Sequence, residues 1–264
     1  MFGRNGETGG ALQTVGNFHI GIFQVTQGQW YEVMPDNPRP SFFTGTNAAT
    51  HWGAGGVPSL TLEQDELPVE RVSWYDALVF ANRLSIRDGL RPAYRINDST
   101  DPDIWGEVPT TSTVAWNNVV IVDEANGWRL PTEYQWEFAA KGGRLSVGHG
   151  GRVGDPPANT GATETHTYLV FSGSNTATEV AWHGSNSGNQ TRPVGSLQAN
   201  ELGLYDMSGN VSEWMWDIWP HPIAARVVRG GSWVHWEVNT RSVHRYGLPP
   251  VYRGYFRGFR LVRS

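Results

Sequence analysis

Residues 229–260 have the sequence RGGSWVHWEVNTRSVHRYGLPPVYRGYFRGFR, the most informative stretch of the chain. The two ends, RGGSW at 229–233 and GFR at 258–260, have the character of fixed framework. Between them, aromatic residues, histidines, glycines, prolines and arginines follow neither the helical nor the strand period. Such a mixture builds a poor core but a good contact surface, because Tyr, His and Arg combine apolar bodies with polar tips.

The composition around this stretch indicates a loop-rich fold. The 264-residue chain contains 32 Gly and 16 Pro, and only 17% of its residues are charged. Its 13 Trp residues suit loops pinned without long helices, because each indole combines a large apolar area with one N–H donor. We find no internal repeat and no interdomain linker. We therefore expect one α+β domain over residues 17–264, preceded by a flexible segment at 1–16.

Charge and cysteine content exclude several classes of function. The net charge of −5 argues against a general nucleic-acid binder. The absence of Cys excludes disulfides, zinc–thiolate sites and thiol catalysis. No stretch reaches transmembrane length, and no signal peptide is visible at the start of the sequence.

Helix-capping motifs mark the predicted helices. SWYD at 73–76 and TEYQ at 132–135 have the spacing of capping boxes, and they predict helices at 74–88 and 133–141. Thr26 is a further candidate N-cap, for a short helix that ends before Pro35.

Seven motifs occur in a recognisable order: FQVTQGQW at 23–30, PVERVSWYDA at 68–77, WRLPTEYQWE at 128–137, PVG at 193–195, NELGLYDMSGNVSEW at 200–214, RGGSW at 229–233 and GFR at 258–260. In them the chain resembles the formylglycine-generating-enzyme/sulfatase-modifying-factor domain family, a variant of the C-type lectin fold. The resemblance covers nearly the whole chain. It implies a small central antiparallel sheet with two main helices packed on it, and terminal strands near 18–25 and 259–262 that pair.

The same resemblance argues against the activity of the family's enzymes. Formylglycine-generating enzymes carry two reactive cysteines between the GGS and GFR motifs, where they bind copper and perform an oxidation. This chain has no thiol there, and no other side chain supplies a soft thiolate pair. Another branch holds iron with an additional helical domain, for which this chain has no room. We therefore expect a non-catalytic relative of the enzymes.

A third branch, the variable proteins of diversity-generating retroelements, fits better and includes treponemal proteins. In these proteins, adenines of adenine-adenine-pyrimidine codons are randomised between the same two motifs. Trp236 and Glu237 are the only residues of 234–256 that such codons cannot encode. The resemblance thus implies the following variable, ligand-binding positions: Val234, His235, Val238, Asn239, His244, Tyr246, Gly247, Leu248, Val251, Tyr252, Gly254, Tyr255 and Phe256.

The implied protein is a receptor-like binder of a macromolecular ligand, expected to be a protein. It would act as a monomer at the cell surface or outer membrane, as a lipoprotein whose leader is absent from this sequence. Two alternatives stay open. One is an oxidoreductase-like relative that uses a convergent acid, base or metal set in a pocket. The other is an invariant surface adaptor.

Within 229–260, some residues are expected to be framework. At least half of Arg241, Arg245, Arg253 and Arg257 should bond backbone carbonyl groups. The alternative to a contact surface is a loop that packs under the domain through its own aromatic residues: Trp236, Tyr246, Tyr252 and Phe256.

Calcium is the one cofactor that the family suggests. Family members often hold this ion near the GNVSEW loop, which makes Asn210 and Glu213 the candidate ligands. Calcium takes six to eight oxygen ligands, far more than these two side chains supply. The alternative is a turn in which Asn210 and Glu213 bond backbone N–H groups, and no cofactor is otherwise expected.

Overall fold

A computed structural model describes residues 15–44, 63–143, 169–220 and 224–264. The flexible segment expected at 1–16 lies outside these ranges except for its last two residues, so it stays a prediction. Among the described residues, no helix is long and apolar enough to cross a lipid bilayer.

The helices begin at the capping motifs, as the sequence predicts. Thr26, Ser73 and Thr132 each accept a hydrogen bond from the backbone N–H three residues later, and the side chain at that third position accepts from the cap in return. This reciprocal pairing satisfies N–H groups that a helix start leaves open. The described helices are α1 (Gln27–Val33), α2 (Trp74–Arg87), α3 (Val114–Asn117), α4 (Glu133–Ala140) and α5 (Ala177–Val180), with 3-10 turns at Gln64–Glu66, Pro102–Ile104 and Glu237–Thr240.

The strands are short and form several small sheets. They are β1 (His19–Ile20), β2 (Tyr94–Arg95), β3 (Val120–Ile121), β4 (Ala181–Trp182), β5 (Ser208–Gly209), β6 (Ser212–Ile218), β7 (Arg226–Arg229), β8 (Arg245–Leu248), β9 (Arg257–Gly258) and β10 (Val262–Arg263). The four-stranded central sheet has the order β8-β7-β6-β9. Its strands β8, β7 and β6 are antiparallel as expected, whereas β9 is parallel to β6. The parallel pair arises because residues 249–256 carry the chain back across the sheet before β9 begins.

The two ends of the domain pair with each other, which confirms the expected pairing of 18–25 with 259–262. β1 and β10 are antiparallel neighbours, with Ile20 opposite Val262. Two further backbone bonds extend the contact, from Gly21 N–H to Leu261 O at 2.8 Å and from Val25 N–H to Phe259 O at 2.9 Å.

Residues 212–215 of strand β6 are buried, and this part of the strand separates two apolar clusters. Trp214 joins the main cluster, which includes α2, while Met215 faces Trp136 of α4 in a second cluster. The indole N–H groups find partners across the core: Trp74 donates to Met215 O at 2.9 Å, and Trp214 donates to Val72 O at 3.0 Å. Each indole thus adds a backbone contact to its apolar burial.

Helix α4 buries both apolar and acidic side chains. Trp136, Ala139 and Ala140 are buried, and Phe138 is half-buried. The carboxylates of Glu133 and Glu137 are buried as well, because arginines from the central sheet neutralise them.

Candidate ligand-binding surface

Residues 234–256, which we term the display segment, lead from the end of β7 to the start of β9. They contain the 3-10 turn Glu237–Thr240 and the edge strand β8. Residues 249–256 then pass from β8, at one edge of the central sheet, to β9, at the opposite edge. The segment therefore spans the full width of the sheet.

Two glycines let the chain pass closely beneath this segment. Gly230 and Gly231 have φ angles of +88° and +69°, a region that side chains rarely adopt. A Cβ on Gly231 would lie 2.4 Å from the carbonyl oxygen of Asn239. Only a residue without a side chain allows the two backbones to approach this closely.

Arg229 fixes the middle of the display segment through backbone contacts. Its guanidinium is fully buried and donates to the carbonyl oxygens of Ser242, Val243 and His244 at 2.9, 3.1 and 3.3 Å. Glu137 balances its charge at 2.8 Å. The three carbonyl bonds use only main-chain atoms of the display segment. They therefore hold the segment whatever side chains residues 242–244 carry.

Two further arginines anchor the segment from within. Arg245 binds both carboxylate oxygens of Glu133 at 2.6 Å, and Arg253 binds those of Asp76 at 2.8 and 3.2 Å. Both act as framework, but they bond carboxylates rather than the backbone carbonyls expected from the sequence. The reason is that helix α4 and the start of α2 present buried acids to the segment, and a guanidinium matches a carboxylate with two parallel bonds.

Arg257 lies beneath the aromatic part of the display segment. It is buried, and its guanidinium carbon is 5.0 Å from the ring centroid of Tyr246, 5.6 Å from that of Tyr252 and 5.0 Å from that of Phe256. It also donates to the hydroxyl of Tyr246. Cation–π attraction to several rings at once holds these aromatic side chains in one arrangement. Of the four arginines considered, only Arg241 is exposed.

The outward side of the segment carries several apolar side chains. Trp236 is 76% exposed, Val238 49%, and Val234 and Tyr252 39% each. His235, Asn239, His244, Tyr255 and Phe256 are half-buried around them. His235 packs edge-on against Tyr246 and Phe256, with ring centroids 6.0 and 5.5 Å apart. The exposed residues and the half-buried rings together give the segment a mixture of apolar and polar groups.

Several of the candidate ligand-binding positions face the framework instead, among them Tyr255 and Phe256, which pack against the cluster of Phe43, Leu67 and Trp233. Tyr246, Leu248 and Val251 pack against the main core cluster. A Cβ on Gly247 would lie 2.2 Å from the ring of Trp219, and one on Gly254, which is buried, would lie 2.7 Å from the ring of Tyr252. A larger residue at Gly247 therefore requires Trp219 to move. Contact-surface and core roles are thus both present in the segment.

Burial changes the protonation of the two histidines in the segment. Burial, with the neighbouring charges of Arg257 and His244, lowers the pKa of His235 to about 4. Burial also lowers the pKa of His244, assisted by the nearby charge of Arg229. Nδ1 of His235 lies 2.8 Å from the hydroxyl of Ser232. Both imidazoles are therefore neutral near pH 7.

Trp236 is not among the predicted ligand-binding positions, because randomised codons cannot encode it. In the structure it is the most exposed aromatic side chain of the segment. Its backbone is fixed on both sides, since Gly184 N–H donates to His235 O at 2.8 Å and Asn239 N–H donates to Trp236 O at 2.9 Å. The sequence signal for this exposure is the position of a Trp within an aperiodic, Gly-rich stretch.

The two candidate calcium ligands do not fit a calcium site. Both carboxylate oxygens of Glu213 accept hydrogen bonds from Arg260, at 2.8 and 2.9 Å, and each accepts one more, from Trp136 or Gln24. The amide of Asn210 exchanges two bonds with the backbone of Arg192, both at 3.0 Å. Asn210 thus plays the turn role considered above, whereas Glu213 bonds side chains of the core.

The order of strands, the paired termini and the surface crossing the sheet define a C-type-lectin-like domain. The sulfatase-modifying factor enzyme 1-like domain model matches residues 5–264, and the chain belongs to this family.

Relatives and solved structures agree with this assignment. The chain is 39% identical to the chaperone protein LppX of Paenibacillus barcinonensis, over 95% of this chain and 81% of LppX. It is 28% identical to the inactive C-alpha-formylglycine-generating enzyme 2 of Mus musculus, over 88% of this chain and 68% of that protein. Among solved structures, Treponema denticola variable protein 1 (TvpA) superimposes with a TM-score of 0.72 at 32% identity, covering 93% of this chain and 84% of that one. The structure of CarF gives 0.67 at 28% identity, with 94% and 86% covered.

Proposed function

We propose that this protein binds a protein ligand through the display segment, without catalysis, and that the outward residues of the segment vary between copies of its gene. The observation that carries the proposal is the division of the segment into two sides. Buried Arg229 and half-buried Arg245 and Arg253 hold its main chain and inner side. Its outer side exposes Val234, Trp236, Val238 and Tyr252.

The chemistry of the outer side favours a protein ligand. Trp and Tyr supply large, stiff contact areas that lose little conformational entropy on binding, and His and Asn add adaptable polar contacts. The exposed charges of the segment include one acid, Glu237, and one base, Arg241. Such a balance gives a nucleic-acid backbone little electrostatic attraction.

Variation between copies is supported by similarity to TvpA and by the residue types of the segment. The test is the gene itself. We expect a reverse transcriptase nearby, an adenine-rich near-copy of the segment's coding sequence, and isolates that differ at outward positions such as Val234, Val238 and Tyr252. Isolates with one unchanged segment and no template repeat would remove the hypervariable part of the proposal.

Binding itself is tested with surface proteins extracted from the organism that encodes the chain. Immobilised wild-type protein should retain a specific partner, and Trp236→Ala should lose at least about 90% of it, as expected when a central aromatic anchor is truncated. Val114→Ala is the matched control, because Val114 is equally exposed, at 76%, but lies outside the segment. Equal loss in both variants, or retention in Trp236→Ala, would contradict the assignment of the surface.

A second candidate function is a chaperone. It is favoured by the 39% identity to LppX over 95% of this chain. The same surface would then bind the apolar parts of an incompletely folded polypeptide, and it would be constant between isolates. Refolding yields of a denatured test enzyme separate the two functions: a chaperone raises the yield, whereas a selective binder leaves it unchanged.

Location and assembly belong to the same proposal. We propose a lipoprotein exposed at the cell surface and monomeric in solution. Protease treatment of intact cells, with membrane fractionation, tests the first point, and light scattering of the purified protein tests the second.

A further inference from the structure

The side chain of Gln24 lies in an unusual position under the display segment. Gln24 is 1% exposed, and its amide nitrogen faces four oxygen atoms. These are the carbonyl oxygens of Asp206, Gly209 and Val211, at 3.1, 3.4 and 2.8 Å, and the carboxylate Oε1 of Glu213 at 3.0 Å.

The backbone of residues 206–213 is shaped to bring these oxygens together. Asp206, Gly209 and Asn210 all have positive φ angles, of 55°, 82° and 58°. Conformations of this kind are uncommon for residues other than Gly, and they turn successive carbonyl groups towards one point. We term these four oxygens the oxygen cage.

The backbone that carries the oxygen cage also bonds the residues just before the display segment and the last residue of it. Gly209 N–H donates to Gly230 O at 2.8 Å, Trp233 N–H donates to Asn210 O at 2.8 Å, and Ser212 N–H donates to Phe256 O at 2.9 Å. Any change in the shape of the cage is therefore transmitted to the base of the surface.

Four converging oxygens, one of them a carboxylate, require hydrogen-bond donors or a cation at their centre. The amide nitrogen of Gln24 brings two N–H donors, fewer than the four acceptors around it. The amide cannot be reversed, because its oxygen would then face four other oxygens. This orientation leaves the amide oxygen Oε1 of Gln24 buried without a hydrogen-bond partner among the described residues, which costs free energy.

We propose that the Gln24 amide takes the place of a cation in the oxygen cage, so that the base of the display segment keeps its shape without calcium. Arg260 balances the negative charge of Glu213 by binding both of its carboxylate oxygens. The disagreement between the candidate calcium ligands and a calcium site has its physical cause here: the centre of the cage is filled by a side chain of the protein.

The experiment compares three proteins in EDTA and in millimolar CaCl₂, with the thermal unfolding midpoint as the readout. Wild type should unfold at the same temperature in both. Gln24→Glu keeps the shape of the side chain but adds a second carboxylate to the cage, so its midpoint should fall by several degrees in EDTA and recover in calcium. Gln24→Leu removes the donors and adds no ligand, so its midpoint should fall equally in both.

Several results would overturn this proposal. A wild-type midpoint that rises with calcium would mean that a cation already occupies the cage. Gln24→Leu as stable as wild type would mean that the amide is not needed. Gln24→Glu with no calcium response would mean that the oxygens do not form a site that a cation can use. If Gln24→Glu fails to fold in EDTA, refolding yield with and without CaCl₂ gives the same comparison. None of these measurements involves a ligand of the display segment, so their outcome is independent of the proposed function.

Discussion

The inner and outer faces of residues 229–260 differ in how their side chains are held. On the inner face, Arg229, Arg257 and Arg260 are fully buried, and each has several partners. On the outer face, Trp236 and Val238 are mostly exposed. Position within the same short stretch of chain therefore decides whether a substitution affects stability or contact with a partner. The four predictions below test this division.

The largest effect is expected from the buried ion pair at the end of the stretch. Arg260→Ala leaves the fully buried Glu213 without its counter-charge, and it should lower the free energy of unfolding by about 5 kcal/mol. Arg241→Ala, at an exposed arginine, should change it by no more than about 0.5 kcal/mol. Urea denaturation followed by circular dichroism measures both. Similar values for the two variants would mean that the division into faces is wrong.

Two tryptophans three positions apart give the next comparison. Trp233 is 1% exposed, and its indole donates to Tyr255 O at 2.8 Å, so Trp233→Ala should cost roughly 3–5 kcal/mol. Trp236→Ala should cost about 0.5 kcal/mol or less, because its side chain has little burial to lose. The same urea denaturation experiment measures both values. A large loss of unfolding free energy in Trp236→Ala would mean that Trp236 belongs to the core.

Two tyrosines sharpen the boundary between the faces. Tyr255 packs beside Phe42, with ring centroids 5.8 Å apart, in a cluster with Phe43 and Trp233. Tyr255→Ala should therefore lower the free energy of unfolding by about 1–3 kcal/mol. Tyr252 is more exposed, so Tyr252→Ala should lower it by less than about 1 kcal/mol. Thermal and urea unfolding of the two variants test this order. If Tyr252→Ala were the more destabilising variant, Tyr252 would belong to the inner face and Tyr255 to the outer face.

The smallest effect is a pH dependence at His235. The pKa of this imidazole falls from 6.5 in the unfolded chain to about 4 in the folded protein. Between these values the unfolded chain binds more protons, so the contribution of His235 to stability is present above pH 6.5 and is lost as the pH falls towards 4. His235→Asn lacks this contribution. Its unfolding midpoint should decline less than that of wild type over the same interval, and parallel curves would contradict the burial of this side chain.

The sequence predicted the elements whose signals are local. Capping boxes located the starts of α2 and α4, because the cap and its partner lie three positions apart, and the predicted ends lie within one residue of those observed. The ordered motifs predicted the fold class and the pairing of the chain ends.

The parts that could not be predicted depend on contacts distant in sequence. Arg253 meets Asp76 across 177 positions, and Arg245 meets Glu133 across 112. No periodicity marks such partners, and buried acids on a helix look like solvent-facing residues until the opposing guanidinium is placed. The exposure of Trp236 and the inward orientation of Leu248 likewise depend on the path of the whole segment.

The contacts of Arg229 have a consequence for how this molecule evolves. The guanidinium of Arg229 bonds three peptide oxygens of the segment, and any amino acid at those positions supplies the same oxygen. Mutations at Val243 or His244 therefore leave the bonds that define the local path intact. Substitutions at these two positions can therefore change the side chains that the segment presents without changing the bonds that hold its main chain.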